Sequence, residues 1–327
     1  KNKIYRGIFM KKIFKLFTLS LLFFASCTMT VAEDIVAKEY FETTNISKIS
    51  TDLTYENLSV ETTNGNEILI EIASNYSKMI PEFYVEDDTF VIKSKKKRFW
   101  NPGYICNVYL YLPTDFFPTT TELNTASGEV FIEDLETDEL TVKSASGDIK
   151  VLFTNAKDII ALSAASGEIE FATGKTTKFS AKTASGDILI KQLTSNEIIC
   201  DAVSGEIETQ EIECEYLSCE TTSGDIDCSK TICQYFDIKA VSGSVDLELE
   251  NQIEAESSIK TTSGSVDLVV PEDMNFEIIA NSSSGKFEDD INGRTYRPRD
   301  NFESKYNEGG ITILIDTTSG SIELESN

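Results

Sequence analysis

Histidine is absent from the 327 residues of this chain. Without an imidazole, the protein has no Ser-His-Asp or Cys-His catalytic arrangement and no zinc site with histidine ligands. The apolar run over residues 16–25 is too short to span a bilayer. No later segment keeps a helical period of apolar residues, which argues against a helical fold.

Positive charge is also scarce. Lysine and arginine number 29 against 55 aspartates and glutamates, so the net charge is −26. A surface this acidic repels a phosphate backbone, and no nucleic-acid partner is expected. Hydrophobic residues still make up 40% of the chain, so its acidity does not indicate disorder.

Residues 1–26 combine six positive side chains, no acid and the apolar run, which predicts an export signal peptide. The run ends in Phe-Ala-Ser before Cys27, which resembles the lipobox of bacterial lipoproteins. The resemblance implies that Cys27 is lipidated and anchors the protein to a membrane of the bacterial envelope, on its periplasmic side or at the cell surface. The alternative is cleavage after Ala32, which removes Cys27. Both interpretations predict that the protein is exported from the cytoplasm.

The chain then repeats itself. Ten Ser-Gly pairs recur, most of them nineteen or twenty residues apart, which is typical of a protein built from stacked repeats. Apolar residues stand five before, two after and four after most of these glycines, and a spacing of two indicates strands. The turn glycines are Gly128, Gly147, Gly167, Gly186, Gly205, Gly224, Gly243, Gly264, Gly285 and Gly320.

So constant a repeat length favours a coil over independent hairpins. The sequence predicts an all-β fold, a parallel β-solenoid (β-helix) of about ten rungs of 19–21 residues with a β-rich N-terminal cap. The expected segments are a signal peptide at 1–26, a cap or lead-in at 27–120 and the Ser-Gly repeats at 121–327, with an insertion at 289–310. Residues 67–72 are among the strands expected in the cap.

The repeated Thr-Ala-Ser-Gly unit, followed by an acid and an aliphatic residue, resembles the bacterial β-strand-repeat family labelled "putative adhesin". The closing copy at 315–322 and the lead-in that ends at Leu112-Pro113 share the likeness, which covers about 35–327. The resemblance implies a β-solenoid in an exported or envelope protein, and it carries over no demonstrated activity and no catalytic residues.

The serines recur identically in ten turns, whereas a catalytic nucleophile is normally singular. We interpret the Ser-Gly pairs as turns, in which glycine tolerates positive φ and serine hydrogen-bonds the local backbone. Six consecutive glycines are followed by an acid, and stacked carboxylates at ~5 Å repel by about 0.8 kcal/mol per pair in water. Divalent cations could bridge them, but pairing with lysines four before the glycine is favoured, so no metal site is predicted. These acids are Glu129, Asp148, Glu168, Asp187, Glu206 and Asp225, and the lysines are Lys143, Lys182, Lys239 and Lys260.

Four of the seven cysteines, Cys214, Cys219, Cys228 and Cys233, superficially resemble a zinc site. The repeat explains them better, since Cys214 and Cys233 share one repeat position, as Cys219 does with Cys200. Disulfides are plausible in an exported protein, and a pair that crosses a corner, such as Cys214 with Cys219, fits at least as well as a directly stacked pair. Zinc ranks third.

One basic cluster interrupts the acidic chain and is a candidate contact for anionic glycans or lipid headgroups. The alternative is a solvated hairpin loop with an aromatic anchor. The cluster comprises Lys95, Lys96, Lys97, Arg98 and Trp100.

These patterns together predict a non-enzymatic, exported envelope protein, a lipoprotein that acts as an adhesin-like or scaffold β-solenoid. Its partner would be an unknown component of the envelope or of a host surface, and it would need no cofactor. The alternative is a carbohydrate-active β-helix enzyme that uses paired carboxylates.

Overall fold

The computed structural model describes residues 34–95, 103–297 and 302–327. These residues form strands, with one short 3-10 helix at Ser77–Met79, so the all-β prediction is confirmed. No helix among them is long and apolar enough to cross a membrane.

The strands of the described residues all join one hydrogen-bonded sheet of 26 strands. Their side chains alternate between the buried core and the outer face, as the spacing of two requires. The strands are β1 (Ile35–Glu42), β2 (Lys48–Leu53), β3 (Asn57–Thr63), β4 (Glu67–Ser74), β5 (Glu82–Glu86), β6 (Thr89–Lys93), β7 (Cys106–Pro113), β8 (Thr120–Thr125), β9 (Val130–Ile132), β10 (Leu135–Ser144), β11 (Ile149–Ala164), β12 (Ile169–Lys175), β13 (Lys178–Thr183), β14 (Ile188–Thr194), β15 (Glu197–Ser204), β16 (Ile207–Ser223), β17 (Ile226–Ser242), β18 (Val245–Leu249), β19 (Ser257–Thr261), β20 (Val266–Val270), β21 (Phe276–Ser282), β22 (Phe287–Asp289), β23 (Arg294–Tyr296), β24 (Phe302–Tyr306), β25 (Ile311–Thr317) and β26 (Ile322–Ser326).

Six parallel strands in the middle of the chain close into a barrel. β11, β12, β14, β16, β15 and β13 pair in that order, and β13 pairs again with β11. The ring closes because β11 is long enough to turn a corner, so that its first half pairs with β12 and its second half with β13. β16 joins β14 to β15 in the same way.

Equivalent positions of successive repeats pair in register. Ile149 is opposite Ile169, which is opposite Ile188, and Leu162 is opposite Ala181. All of these side chains are buried, so the interior is a continuous apolar core.

At both ends the strands pair out of chain order. β2 lies beside β8, and β3 lies between β7 and β9. Near the other end, β25 lies between β19 and β21, and β26 lies between β20 and β22. Antiparallel pairs also occur there, namely β1–β4, β4–β7, β5–β6, β21–β24 and β22–β23.

The predicted parallel β-solenoid of about ten 19–21-residue rungs with a β-rich N-terminal cap is therefore wrong. The structure has a closed six-stranded parallel barrel with many further strands, and the segment expected to form the cap supplies β2 and β3 to the same sheet. The repeat period determines which side chains point inward. It does not determine the order in which the copies pair, because backbone hydrogen bonds between strands are alike for every copy.

Candidate functional site

The turn glycines lie where neighbouring repeats come closest. A Cβ added at Gly147 would lie 1.9 Å from the carbonyl oxygen of Gly128, and one at Gly186 would lie 2.0 Å from that of Gly167. Neither Gly147 nor Gly186 has a positive φ. Glycine is required here because the neighbouring backbone occupies the space of a side chain, and not for the conformational reason that the sequence suggests.

A buried hydroxyl three residues before the glycine holds these turns. Ser144 Oγ accepts a hydrogen bond from Gly147 N at 2.8 Å, and Thr183 Oγ1 accepts one from Gly186 N at 3.0 Å. Thr183 Oγ1 also donates to the carbonyl oxygen of Gly167 at 3.4 Å. The hydroxyl that bonds the turn is thus the third residue before the glycine, whereas the sequence pattern points to the adjacent serine.

The acids directly after the glycine join neighbouring turns. Asp148 Oδ1 accepts a hydrogen bond from the backbone nitrogen of Glu168 at 2.9 Å, and Asp187 Oδ1 accepts one from Glu206 at 2.9 Å. Loss of hydration and the adjacent carboxylate of Asp148 raise the pKa of Glu168. The aspartates of this column therefore have a structural partner that the sequence pattern does not reveal.

The lysines that were expected to pair with those acids contact other carboxylates. Lys182 Nζ lies 2.7 Å from Asp201 Oδ2, and Lys143 Nζ lies 3.7 Å from Glu122 Oε1. Asp201 is directly opposite Lys182 on the neighbouring strand, because position four before the glycine is charged in both repeats. The predicted pairing across the turn is therefore wrong for these two lysines.

A second column of acids, here called the carboxylate ladder, occupies the third position after the turn glycine in successive repeats. Desolvation and the carboxylates of Asp267 and Asp227 raise the pKa of Asp246 to about 6. Reading this position down the repeats could have found the ladder, but the sequence analysis followed only the acids next to the glycine. Its members, opposite one another on successive strands, are Glu208, Asp227, Asp246, Asp267 and Glu323.

Asp290, Glu323 and Glu325 bring three carboxylate oxygens within 4.8 Å of one another. Asp290 is exposed and the other two are half-buried, so water and dissolved ions reach them. We assign no metal to this group.

The cysteines that the structure describes are buried and reduced. Cys200 is opposite Cys219, and Cys214 is opposite Cys233, on neighbouring strands. Desolvation raises the pKa of Cys233 to about 12, so its thiol stays protonated. No three of the described cysteines bring their sulfur atoms within 4.8 Å of one another, which does not fit a zinc site. These thiols act as core side chains.

An open groove of about 470 Å³ crosses one corner of the sheet, where β10, β11 and β12 turn or end. The groove collects side chains from four successive repeats, most of them polar. Side chains that line it include Phe117, Glu136, Asn155, Lys157, Lys175 and Asn196.

Phe117 is the aromatic residue of this groove, and 58% of it is exposed. Its neighbour Phe116 packs against the core. The carbonyl oxygen of Pro118 accepts hydrogen bonds from Thr137 Oγ1 at 2.8 Å and from the backbone nitrogen of Asp138 at 3.1 Å. Both flanking residues are thus held, so the backbone at Phe117 is ordered and its exposed ring borders the groove.

One line of polar residues follows the groove. Glu136 is opposite Asn155, and Asn155 is opposite Lys175, on three neighbouring strands. Adjacent members are therefore separated by the strand spacing of ~4.8 Å. The groove offers hydrogen-bond donors and acceptors at regular intervals.

The basic cluster lies mostly outside the described residues, which include Lys95 but not Lys96, Lys97, Arg98 or Trp100. The described residues on either side of it share a buried partner. Ser94 Oγ donates to Glu56 Oε2 at 2.5 Å, and Tyr104 OH donates to Glu56 Oε1 at 3.4 Å. Sequence reasoning missed Glu56, because this residue occupies the position of the turn glycine in a copy that has no Ser-Gly pair.

Cys27 and the predicted signal peptide also lie outside the described residues. Lipidation at Cys27 stays a prediction.

Two family models match the chain. "Toastrack DUF4097" matches residues 154–325, and "Putative auto-transporter adhesin, head GIN domain" matches residues 54–210. No curated protein matches.

Solved structures that match the chain include three from Parabacteroides species. A putative adhesin from Parabacteroides distasonis is 11% identical, covers 88% of this chain and 96% of its own, and has a TM-score of 0.47. A putative lipid binding protein from the same organism is 14% identical, with coverages of 88% and 96% and a TM-score of 0.46. A putative adhesin from Parabacteroides merdae is 11% identical, with coverages of 88% and 95% and a TM-score of 0.46.

The two family models agree with the resemblance that the repeated unit carries in the sequence. Because the Toastrack model spans more than half of the 327 residues, the chain belongs to the Toastrack DUF4097 family, among adhesin-like proteins of unknown function.

Proposed function

We propose that this protein is a non-enzymatic, adhesin-like component of the bacterial cell envelope, anchored to a membrane through Cys27. One observation carries the proposal. The described cysteines are buried, and the repeated hydroxyls of Ser144 and Thr183 bond the turns, so these candidate nucleophiles serve the fold.

The sheet suits binding better than chemistry. Neighbouring strands place outward side chains at intervals of ~4.8 Å, and the hydrogen-bonded backbone is ordered before any partner arrives. A surface of this kind loses little backbone entropy on binding, which favours affinity. Adhesion would then depend on shape and on regularly spaced polar groups.

The carbohydrate-active enzyme is the weaker alternative. It needs a proton-donating acid beside a second carboxylate in a cleft. Asp246, with its raised pKa, and the adjacent Asp267 come nearest to that pattern. Both residues lie on the carboxylate ladder and do not line the groove. We do not assign catalysis to them.

Metabolic labelling with a radioactive fatty acid tests the anchor. We expect label in the wild-type protein and in Cys106→Ala, a matched loss of a buried cysteine, and no label in Cys27→Ala. The Cys27→Ala protein should also leave the membrane fraction. Retention of label in Cys27→Ala, or its absence from the wild type, would refute the anchor.

Adhesion is tested with the full chain displayed on beads. We expect the beads to bind mucin-coated surfaces or isolated bacterial cell walls more strongly than beads that carry an unrelated acidic protein. Equal retention of both kinds of bead on both surfaces would remove the basis for an adhesin.

A further inference from the structure

We propose that the groove beside Phe117 binds an extended oligosaccharide. The inference rests on the proposed adhesin function and gives it a site and a ligand class. Its starting point is the groove of about 470 Å³ that crosses four successive repeats at one corner of the sheet.

The first step is the aromatic ring. Phe117 keeps 58% of its surface exposed, although burying a phenylalanine side chain stabilises a protein by roughly 1.5–3 kcal/mol. Its neighbours are fixed by the Phe116 packing and by the two hydrogen bonds to Pro118 O. An exposed ring on an ordered backbone can pack against the apolar C–H face of a sugar ring.

The second step is the polar chemistry. Glu136 and Asp138 supply acceptors, Lys157 and Lys175 supply donors, and Asn155 supplies both. The two acids offset the two lysines, so the groove does not select a strongly charged ligand. Sugar hydroxyls donate and accept hydrogen bonds, and they match this mixture better than a phosphate or a carboxylate does.

The third step separates a glycan from a peptide. A peptide that binds in an extended form usually adds a strand to a free sheet edge. At this groove the backbone is already paired, since Thr176 N donates to Thr194 O at 3.1 Å and Asn196 N donates to Thr177 O at 3.1 Å. Strand addition is therefore closed to a ligand here, and recognition by side chains, which glycans use, remains open.

The fourth step is spacing. Glu136, Asn155 and Lys175 line the groove and stand opposite one another on three adjacent strands. Two intervals of ~4.8 Å make a line of about 10 Å. Each interval is comparable with the length of one pyranose unit, so an oligosaccharide of about three units can present one hydroxyl group to each side chain.

The test is calorimetric titration of the purified full chain with neutral oligomers of glucose and of N-acetylglucosamine, one to six units long, and with oligomers of glucuronic acid as the charged comparison. We expect binding of at least one neutral series, with affinity that increases up to about three units. Binding of the glucuronic acid series alone would contradict the inference. Phe117→Ala and Asn155→Ala should each weaken binding about tenfold, since few contacts in an interface carry most of the affinity. Tyr55→Ala is the matched control, because Tyr55 is 60% exposed and does not line the groove.

The other outcomes distinguish failure of the groove inference from failure of the adhesin proposal. If no oligomer binds while the beads still adhere, the groove inference fails and the adhesin proposal stands. If an oligomer binds equally well to Phe117→Ala, Asn155→Ala and the wild type, the site lies elsewhere and the inference fails. The inference would also fail if extended peptides displaced the oligosaccharide and bound the groove with the same affinity. If oligosaccharides bind as expected but the beads do not adhere, the adhesin proposal fails and the groove site remains.

Discussion

At the scale of single residues, the turn glycines show how the approach of one backbone to another restricts sequence. Gly186 has no room for a Cβ, because the carbonyl oxygen of Gly167 would lie 2.0 Å from it. A methyl group at this position must push two strands apart along their shared hydrogen bonds. The same restriction applies to the other turn glycines of the repeats.

We therefore expect Gly186→Ala to lower the free energy of unfolding by roughly 2–3 kcal/mol, as overpacking does in a tight core. Gly65→Ala is the control, since its Cβ would lie 3.6 Å from the nearest atom. That substitution should change stability by less than about 0.5 kcal/mol. Urea denaturation followed by circular dichroism measures both, and equal stability of the two variants would contradict the close-approach argument.

The carboxylate ladder gives a prediction about pH. The pKa of Asp246 is raised to about 6 from its ordinary value of 3.8, so the folded state binds this proton more tightly than the unfolded state. Between about pH 4 and pH 6, stability therefore decreases as pH rises, because the folded protein must give up a proton that it holds more tightly.

Asp246→Asn should then be more stable than the wild type at pH 7.5, and the difference should disappear below pH 4. The gain should not exceed about 1 kcal/mol, because solvent screens an exposed carboxylate. Asp201→Asn is the control, since Asp201 is 2.7 Å from Lys182 Nζ and should show no gain. Thermal melts across this pH range measure the effect, and a gain that is independent of pH would rule out the ladder as its cause.

At the scale of strands, β16 and β17 place their cysteines inward. Cys219 and Cys228 are fully buried, and hydrogen bonding to a neighbouring thiol together with desolvation raises their pKa values well above the ordinary range. The thiolate is the reactive form, so these side chains should not react while the protein is folded.

We expect that a maleimide reagent leaves the described cysteines unmodified in the folded protein and modifies all of them in 6 M guanidinium chloride. Peptide mapping by mass spectrometry identifies each site. A disulfide between Cys214 and Cys219 in the exported protein would contradict the packing interpretation and support the corner-crossing alternative.

The strands also show what the sequence can and cannot predict. The segment 67–72 is expected to be a strand and lies in β4 (Glu67–Ser74), because its alternating apolar residues need one buried face. The same alternation identified the inward positions of the repeats. The groove was not predictable, because Phe117 lies just before the repeats and meets Asn155 only through the pairing of β8 with β10 and of β10 with β11.

At the scale of the whole molecule, the order of the strands is the main departure from the expected architecture. β25 lies between β19 and β21, although β21 precedes it in the chain. The antiparallel strands β22–β23 and β24 come from the segment between β21 and β25, and they let the chain return to that place. An insertion that looks peripheral in sequence thus changes which repeats are neighbours.

Cross-linking distinguishes the observed order from the chain order. Lys260 on β19 is opposite Asp316 on β25, and Asp316 is opposite Asn281 on β21. We expect Lys260→Cys with Asp316→Cys to form a disulfide under mild oxidation, since adjacent strands lie ~4.8 Å apart, within the range that a disulfide spans. The control, Lys260→Cys with Asn281→Cys, should stay reduced, because β25 separates those strands by about 10 Å. A disulfide in the control pair alone would show that the repeats pair in chain order and that the observed position of β25 is wrong.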